Sequence, residues 1–225
     1  MTGLVEKMKT EELREHVRKN IVIAAMRSIY GDDLLHAVEI FVKHGIRMIE
    51  VTFDQADPDA LRKTSKCIAA LKEKFGSSIL VGAGTVMEEE QVIAAREAGA
   101  EYILSPDTNT EVIRKAAELG LPSIPGAMTP SEVATAWRNG AAVVKLFPAG
   151  NLGAGYCKSI CAPLNNVLLL PMGGVNKDNA KDFLAIDNVI GLGMANALVD
   201  KKLIAAHDWD GLEAKTKVFM ETLKG

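Results

Sequence analysis

Aromatic side chains are scarce in this sequence: two Trp, three Tyr and six Phe make up 5% of 225 residues. That argues for packed helices and strands rather than an aromatic recognition surface. Charge of one sign is also lacking. Lys and Arg number 26 against 29 Asp and Glu, a net charge of -3. Without a basic excess, nucleic acid is excluded as a partner. Cysteine is limited to Cys67, Cys157 and Cys161, an odd number that reads as small buried hydrophobes in a reduced cytoplasm. Cys157 and Cys161 are spaced to share a helix face. The histidines His16, His36, His44 and His207 are scattered, however, and no HxH or HExxH accompanies them, so no metal is expected. Long apolar runs are missing. Ile21 to Met26 is far below the ~20 residues of a spanning helix, so no membrane partner is expected. The start, MTGLVEKMKTEELREHVRKN, has no apolar h-region, so a cytoplasmic rather than secreted protein is expected. There is no Ser/Gly linker and no low-complexity tract, which predicts one domain over residues 1–225.

What is present is apolar mass, 48% of the chain, too much for a disordered polymer. It is distributed in short runs: 21–26, 48–53, 79–86, 102–105, 123–125, 143–147, 167–170 and 189–192. Amphipathic segments such as DDLLHAVEIFVKHG, EEEQVIAAREAG, TEVIRKAAELG and PSEVATAWRNG lie between them. Strand starts recur roughly every 24 residues, the size of a compact βα unit. Eight units predict a (β/α)8 TIM barrel with an extra N-terminal helix over residues 4–19. An open doubly wound sheet is the alternative, but AAMRSIYGDD lacks a Gly-rich dinucleotide turn. Gly45, Gly99, Gly120 and Gly140 follow helical runs as C′ glycines do. Thr129-Pro130-Ser131-Glu132 places Pro in a first helical turn.

Aligning the chain on those glycines superposes GIRMIEV, GAEYILS and GAAVVKL. The fifth residue after each glycine is Glu50, Leu104 and Lys145, on strands two, four and six. Alternate strands supply one interior layer of such a barrel, so Glu50 and Lys145 are expected at one height. Period-two alternation turns both inward, with Ile49, Val51, Val144 and Leu146 facing the helices. A buried lysine has a lowered pKa and becomes a nucleophile toward carbonyls. A carboxylate at its level can move protons. The competing interpretation is a buried Lys–Glu pair that serves only fold specificity.

More polar groups gather at the same rim: Arg27 after strand one, Thr52, and Thr85 in GAGT. Arg27 is suited to fork onto a carboxylate and Thr85 to add a hydroxyl; the bland readings are a solvated arginine and a threonine bonded to backbone. Met172-Gly173-Gly174-Val175 follows strand seven and Gly193-Met194-Ala195-Asn196 follows strand eight. Barrels often bind phosphate there through backbone N–H groups and a helix N-terminus. NKDNA is expected to start that helix.

The ordered set IEVTF, VGAGTV, SIPGAMTPSE, VVKLFPAG and GGVNKDN resembles the 2-keto-3-deoxy-6-phosphogluconate (KDPG) and 4-hydroxy-2-oxoglutarate (KHG) aldolase family, over about residues 21–217. The resemblance implies a class I aldolase on a (β/α)8 barrel, a homotrimer, with no metal and no cofactor. Its small-molecule substrate would be a keto acid, cleaved to pyruvate and an aldehyde. It implies that Lys145 is the Schiff-base lysine and Glu50 the general acid/base. It also implies that Arg27 and Thr85 bind carboxylate, that Pro125 and Phe147 line the site, and that Gly173 and Gly174 form a phosphate loop. Asn196 stands in the last loop, where it can donate a hydrogen bond. Three positions depart from the family pattern. Met172 stands where Thr is frequent, Ala195-Asn196 where Gly-Ser is frequent, and Asp54 where many members carry Arg. These departures predict an altered aldehyde end. Two further readings are a phosphosugar isomerase or epimerase, with Glu50 as base, and a non-catalytic sugar-acid-binding barrel.

Overall fold

The computed structural model describes residues 8–224. Helix α1 (Thr10–Asn20) occupies most of the expected leading helix; residues 4–7 of that expectation lie outside the described residues. Nine strand segments follow: β1 (Val22–Met26), β2 (Met48–Thr52), β3 (Leu80–Gly84), β4 (Tyr102–Leu104), β5 (Ser123–Ile124), β6 (Gly126–Ala127), β7 (Val144–Leu146), β8 (Leu169–Pro171) and β9 (Leu192–Met194). All pair in parallel, in the orders β5-β4-β3-β2-β1-β9 and β6-β7-β8. Two parallel bridges, Leu169 to Val189 and Met172 to Gly193, join β8 to β9 and close the circuit.

β5 and β6 are one barrel strand cut by Pro125. Proline has no N–H to give a ladder. The neighbouring bonds continue through it: the Ile124 carbonyl accepts from Ser105 and the Pro125 carbonyl accepts from Lys145. Eight strand positions therefore close into a (β/α)8 barrel, and the open sheet is excluded. The fifth strand extends beyond its expected end at Pro125, to Ala127. The eighth strand forms its ladder at 192–194 rather than at the expected 189–192. Its inward positions, Gly191 and Gly193, carry no side chain. A Cβ at 191 would meet Val17 and the Ile21 carbonyl, and one at 193 would meet Met172. An apolar alternation could not mark such a strand.

The helices are α2 (Gly31–Lys43), α3 (Ala60–Phe75), α4 (Glu89–Glu97), α5 (Thr110–Glu118), α6 (Pro130–Arg138), α7 (Ala149–Cys161), α8 (Ala180–Leu184), α9 (Lys201–Ala205) and α10 (Trp209–Lys224). Gly45, Gly99, Gly120 and Gly140 have φ of 91°, 95°, 70° and 95°, the left-handed turn that glycine takes without Cβ strain. Thr129 caps α6 reciprocally with Glu132, ahead of Pro130 at the first turn. NKDNA does not open a helix at its start. Asn176 and Asn179 bond to the loop backbone instead, and α8 begins at Ala180, a helix of only five residues.

Side chains sort into two cores. Ile49, Val51, Val144 and Leu146 face the helices. Ile23, Met48, Leu80, Tyr102, Leu104, Val143, Leu170 and Met172 fill the barrel interior, together with Leu13 and Val17 of α1. Helix α1 thus stops the N-terminal end of the barrel, where the Arg14 Nε donates to the Ala142 carbonyl at 2.7 Å. Burying each of those two apolar side chains contributes about 1.5–3 kcal/mol.

Candidate active site

Glu50 occupies the middle of β2 and is 0% exposed; Lys145 occupies the middle of β7 and is 3% exposed. Both face inward, as alternation requires, because their flanking residues belong to the outer core. Among the described residues, neither Glu50 carboxylate oxygen has a hydrogen-bond partner. Among the described residues no ion pair joins Glu50 to Lys145. The Lys145 Nζ lies 4.9 Å from the centroid of the Phe147 ring. Two polar groups are therefore buried in one interior without satisfying each other. An unmade buried hydrogen bond costs on the order of 1–3 kcal/mol, more for a charged group.

Burial governs both titrations. It pushes the Glu50 carboxyl up, against the pull of Lys145 and Arg27. It pushes the Lys145 amine down, aided by Arg27 and opposed by Glu50 and Asp107. Each group moves toward its uncharged form. The lowered amine pKa raises the neutral fraction that carbonyl addition requires, and a carboxyl in the same interior can give or take a proton.

The strands shape the space around Glu50. β3 reads Leu80, Gly82 and Gly84 inward, and the two glycines leave room that a Cβ would fill. A Cβ at Gly84 would collide with the Glu50 carboxylate, and one at Gly82 with the Tyr102 ring. Tyr102, fully buried, forms the floor of this space, and its hydroxyl donates to the Ile49 carbonyl at 3.0 Å. Sequence reasoning missed Tyr102, Gly82 and Asp107. The GxG period within a strand was the available signal, since strand glycines mark close approach.

Arg27, exposed beyond the end of β1, reaches Thr85 at the end of β3: its Nη2 is 3.5 Å from Oγ1. Thr85 has φ of 53°. A β-branched residue in the left-handed region is a real outlier, costing roughly 1–3 kcal/mol. Pro125 is buried in the broken fifth strand, and Phe147 is half-buried beside the amine.

Gly173 and Gly174 follow β8 with φ of 82° and 79°. A Cβ at 173 would meet the Phe147 ring, and one at 174 would approach Gly150. The Gly173 carbonyl accepts from Gly150, and the Gly174 carbonyl from the Asn179 amide. Asn196 is exposed in the loop after β9, its carbonyl 3.4 Å from the Lys215 Nζ. Met172 is 4% exposed and packs into the interior over Gly193, with Ala195 beside it. Asp54 lies elsewhere on the rim, where its Oδ1 accepts from the Ala56 N–H. Thr52 is buried, and its carbonyl accepts from Thr64.

Among the described residues no three His, Cys, Asp or Glu converge to hold a metal ion, and no helix is long and apolar enough to cross a membrane.

The family model for KDPG and KHG aldolase matches residues 13–215. The chain is 29% identical over 217 residues to the 2-dehydro-3-deoxy-phosphogluconate aldolase of Haemophilus influenzae, covering 96% of this chain and 98% of that one. It is 32% identical over 197 residues to the KHG/KDPG aldolase of Escherichia coli, covering 85% and 87%. Its fold is similar to the crystal structure of the KDPG aldolase of Legionella pneumophila with pyruvate captured as a covalent carbinolamine. That similarity has a TM-score of 0.83 and 26% identity, covering 95% of this chain and 99% of that one. The chain belongs to the KDPG and KHG aldolase family.

Proposed function

We propose that this protein is a class I aldolase that cleaves a 2-keto-4-hydroxy acid to pyruvate and an aldehyde through a Schiff base on Lys145. One observation carries the reading: Glu50 and Lys145 share one barrel interior, yet the carboxylate is left without a partner. A pair retained for fold specificity would be in contact, because burying two polar groups unpaired gains nothing for stability. A substrate that bridges them explains the arrangement.

The chemistry follows from the groups. The neutral Lys145 amine adds to the C2 ketone, and loss of water gives an iminium. The iminium draws electrons from the C3–C4 bond as Glu50 accepts the C4 hydroxyl proton. The aldehyde leaves, and an enamine remains. A proton returned to C3 by Glu50 restores the iminium. Water then releases pyruvate and the free amine. The lysine serves as the electron sink, so the cycle uses neither metal nor cofactor. Arg27 and Thr85 take the pyruvate carboxylate. Pro125 and Phe147 wall the reacting carbons. Gly173, Gly174 and Asn196 face the aldehyde end, where the Met172 thioether replaces a hydroxyl and leaves a weak phosphate site. This reading treats residues 1–225 as one catalytic domain. It includes a cytoplasmic homotrimer, which size-exclusion chromatography with light scattering tests.

Borohydride reduction in the presence of pyruvate tests the core of the proposal. Intact-mass analysis is expected to find one pyruvate adduct per chain, lost in Lys145→Ala and equally in Lys145→Arg. A guanidinium cannot form the imine. A folded wild type that takes no adduct would favour an isomerase or a binding protein instead.

A further inference from the structure

We propose that Gln55 and Gln91 form an amide relay that holds Thr85 in its left-handed conformation and thereby positions the Thr85 hydroxyl beside Arg27; this rests on the aldolase reading for its kinetic consequence. The Gln55 Nε2 donates to the Thr85 carbonyl at 2.7 Å. The Gln55 Oε1 accepts from the Gln91 Nε2 at 3.1 Å. The Gln91 Oε1 accepts the backbone N–H groups of Met87 at 2.7 Å and Glu88 at 3.2 Å.

The direction of this relay is forced. Two backbone donors at the head of α4 require the oxygen of Gln91, so its nitrogen faces Gln55. The Gln55 oxygen must meet that nitrogen, which leaves the Gln55 nitrogen for the Thr85 carbonyl. The chain of amides therefore ends on Thr85, a β-branched residue at a strand end whose backbone is strained, φ 53°. Such strain persists only where surrounding contacts over-determine it. The neighbouring backbone helps, since the Val86 N–H donates to the Leu104 carbonyl and the Gly84 carbonyl accepts from Phe53. Only Gln55, however, grips the Thr85 carbonyl itself among the described residues. Gln91 is buried and belongs to the helix cap, whereas Gln55 is exposed. Gln55 therefore acts through Thr85, as a positioning residue, and its loss removes no core packing.

Gln55→Leu separates positioning from stability. Borohydride trapping is measured across a pyruvate titration for wild type, Gln55→Leu, Thr85→Gly and the double variant. The pyruvate concentration giving half-maximal trapping is expected to rise about tenfold in Gln55→Leu, the loss of roughly one charge-assisted hydrogen bond. The plateau should stay at the wild-type value, and the thermal midpoint should fall by only a few degrees, the cost of the Gln91 amide losing its partner. In the Thr85→Gly background the same substitution should add nothing, because no hydroxyl remains to position. A half-maximal concentration within twofold of wild type in Gln55→Leu overturns the proposal. So does a full tenfold increase added on top of Thr85→Gly. A crystal structure of Gln55→Leu gives an arm that does not depend on catalysis: Thr85 should leave positive φ, and retention of φ near its present value with an unmoved hydroxyl refutes the relay. If the wild type traps no pyruvate, the aldolase reading falls and this structural arm alone decides the relay.

Discussion

The Glu50 carboxylate occupies the space that a side chain on residue 84 would fill. Gly84 pairs with Thr52 in the β2–β3 register, and a Cβ there would collide with the Glu50 Oε1. The glycine is therefore part of how the carboxylate is aimed into the barrel. Gly84→Ala should turn Glu50 off its present direction. A shift of about 1 Å in a reacting group can cost on the order of 100-fold, so pyruvate release should fall by about that factor. Trapping of added pyruvate on Lys145 should persist, since that step does not need Glu50 in place. Overpacking should also lower stability by about 1–3 kcal/mol. Wild-type kcat in Gly84→Ala would show that Glu50 has no such dependence.

The pKa shifts predict how imine formation follows pH. Burial holds the Lys145 amine below the usual lysine range, so its reactive neutral form appears at lower pH than on an exposed lysine. The trapping rate should climb with pH and level off below that range. An ionised Glu50 favours the ammonium, so Glu50→Gln removes an opposing charge and should move the midpoint further down. A midpoint that moves up in Glu50→Gln would contradict the coupling. Stability follows the same signs. The depressed Lys145 pKa costs stability as pH falls from the usual lysine range down to it, and the raised Glu50 pKa does so as pH rises from the usual carboxylate range up to it.

Much of this site could be read from residue order alone. The glycine ruler placed Glu50 and Lys145 inside the barrel because both strands alternate with period two and carry large outward residues. That logic failed at the eighth strand, where Gly191 and Gly193 carry no side chain to show which way they face. It also could not find Gln55. An exposed glutamine in a loop has no periodicity, and its function depends on a carbonyl 30 positions away that is brought near only by the pairing of β2 with β3. Thr85 was legible as a hydroxyl but not as a strained residue, since φ is a property of the folded chain.

The leading helix gives a prediction about the scaffold alone. Leu13 is fully buried in the barrel interior, at the end opposite the reacting groups. Leu13→Ala should cost about 2–5 kcal/mol in urea unfolding. Its kcat should stay within about twofold of wild type. A large kcat loss with unchanged stability would mean that the α1 plug communicates with the site.

In the proposed aldolase, Met172 is expected to set what kind of aldehyde the site releases. Its side chain lies over Gly193 in the barrel mouth and is buried with Leu170 and Ala195. A phosphate here would find backbone N–H groups at Gly173 and Gly174 but no hydroxyl from residue 172, and the thioether would displace part of its water without replacing the lost hydrogen bonds. An unphosphorylated or short aldehyde end pays no such penalty. The ratio of kcat/KM for KDPG to that for its unphosphorylated analogue is therefore expected near one. Met172→Thr introduces a donor to a charged acceptor, an interaction of about 1.5–3 kcal/mol, and should raise that ratio by roughly 10- to 100-fold. Competition kinetics on a mixture of the two substrates measures it directly. A thousandfold preference for KDPG in the wild type would show that the N–H groups of the two loops suffice for phosphate and that Met172 does not set the aldehyde end.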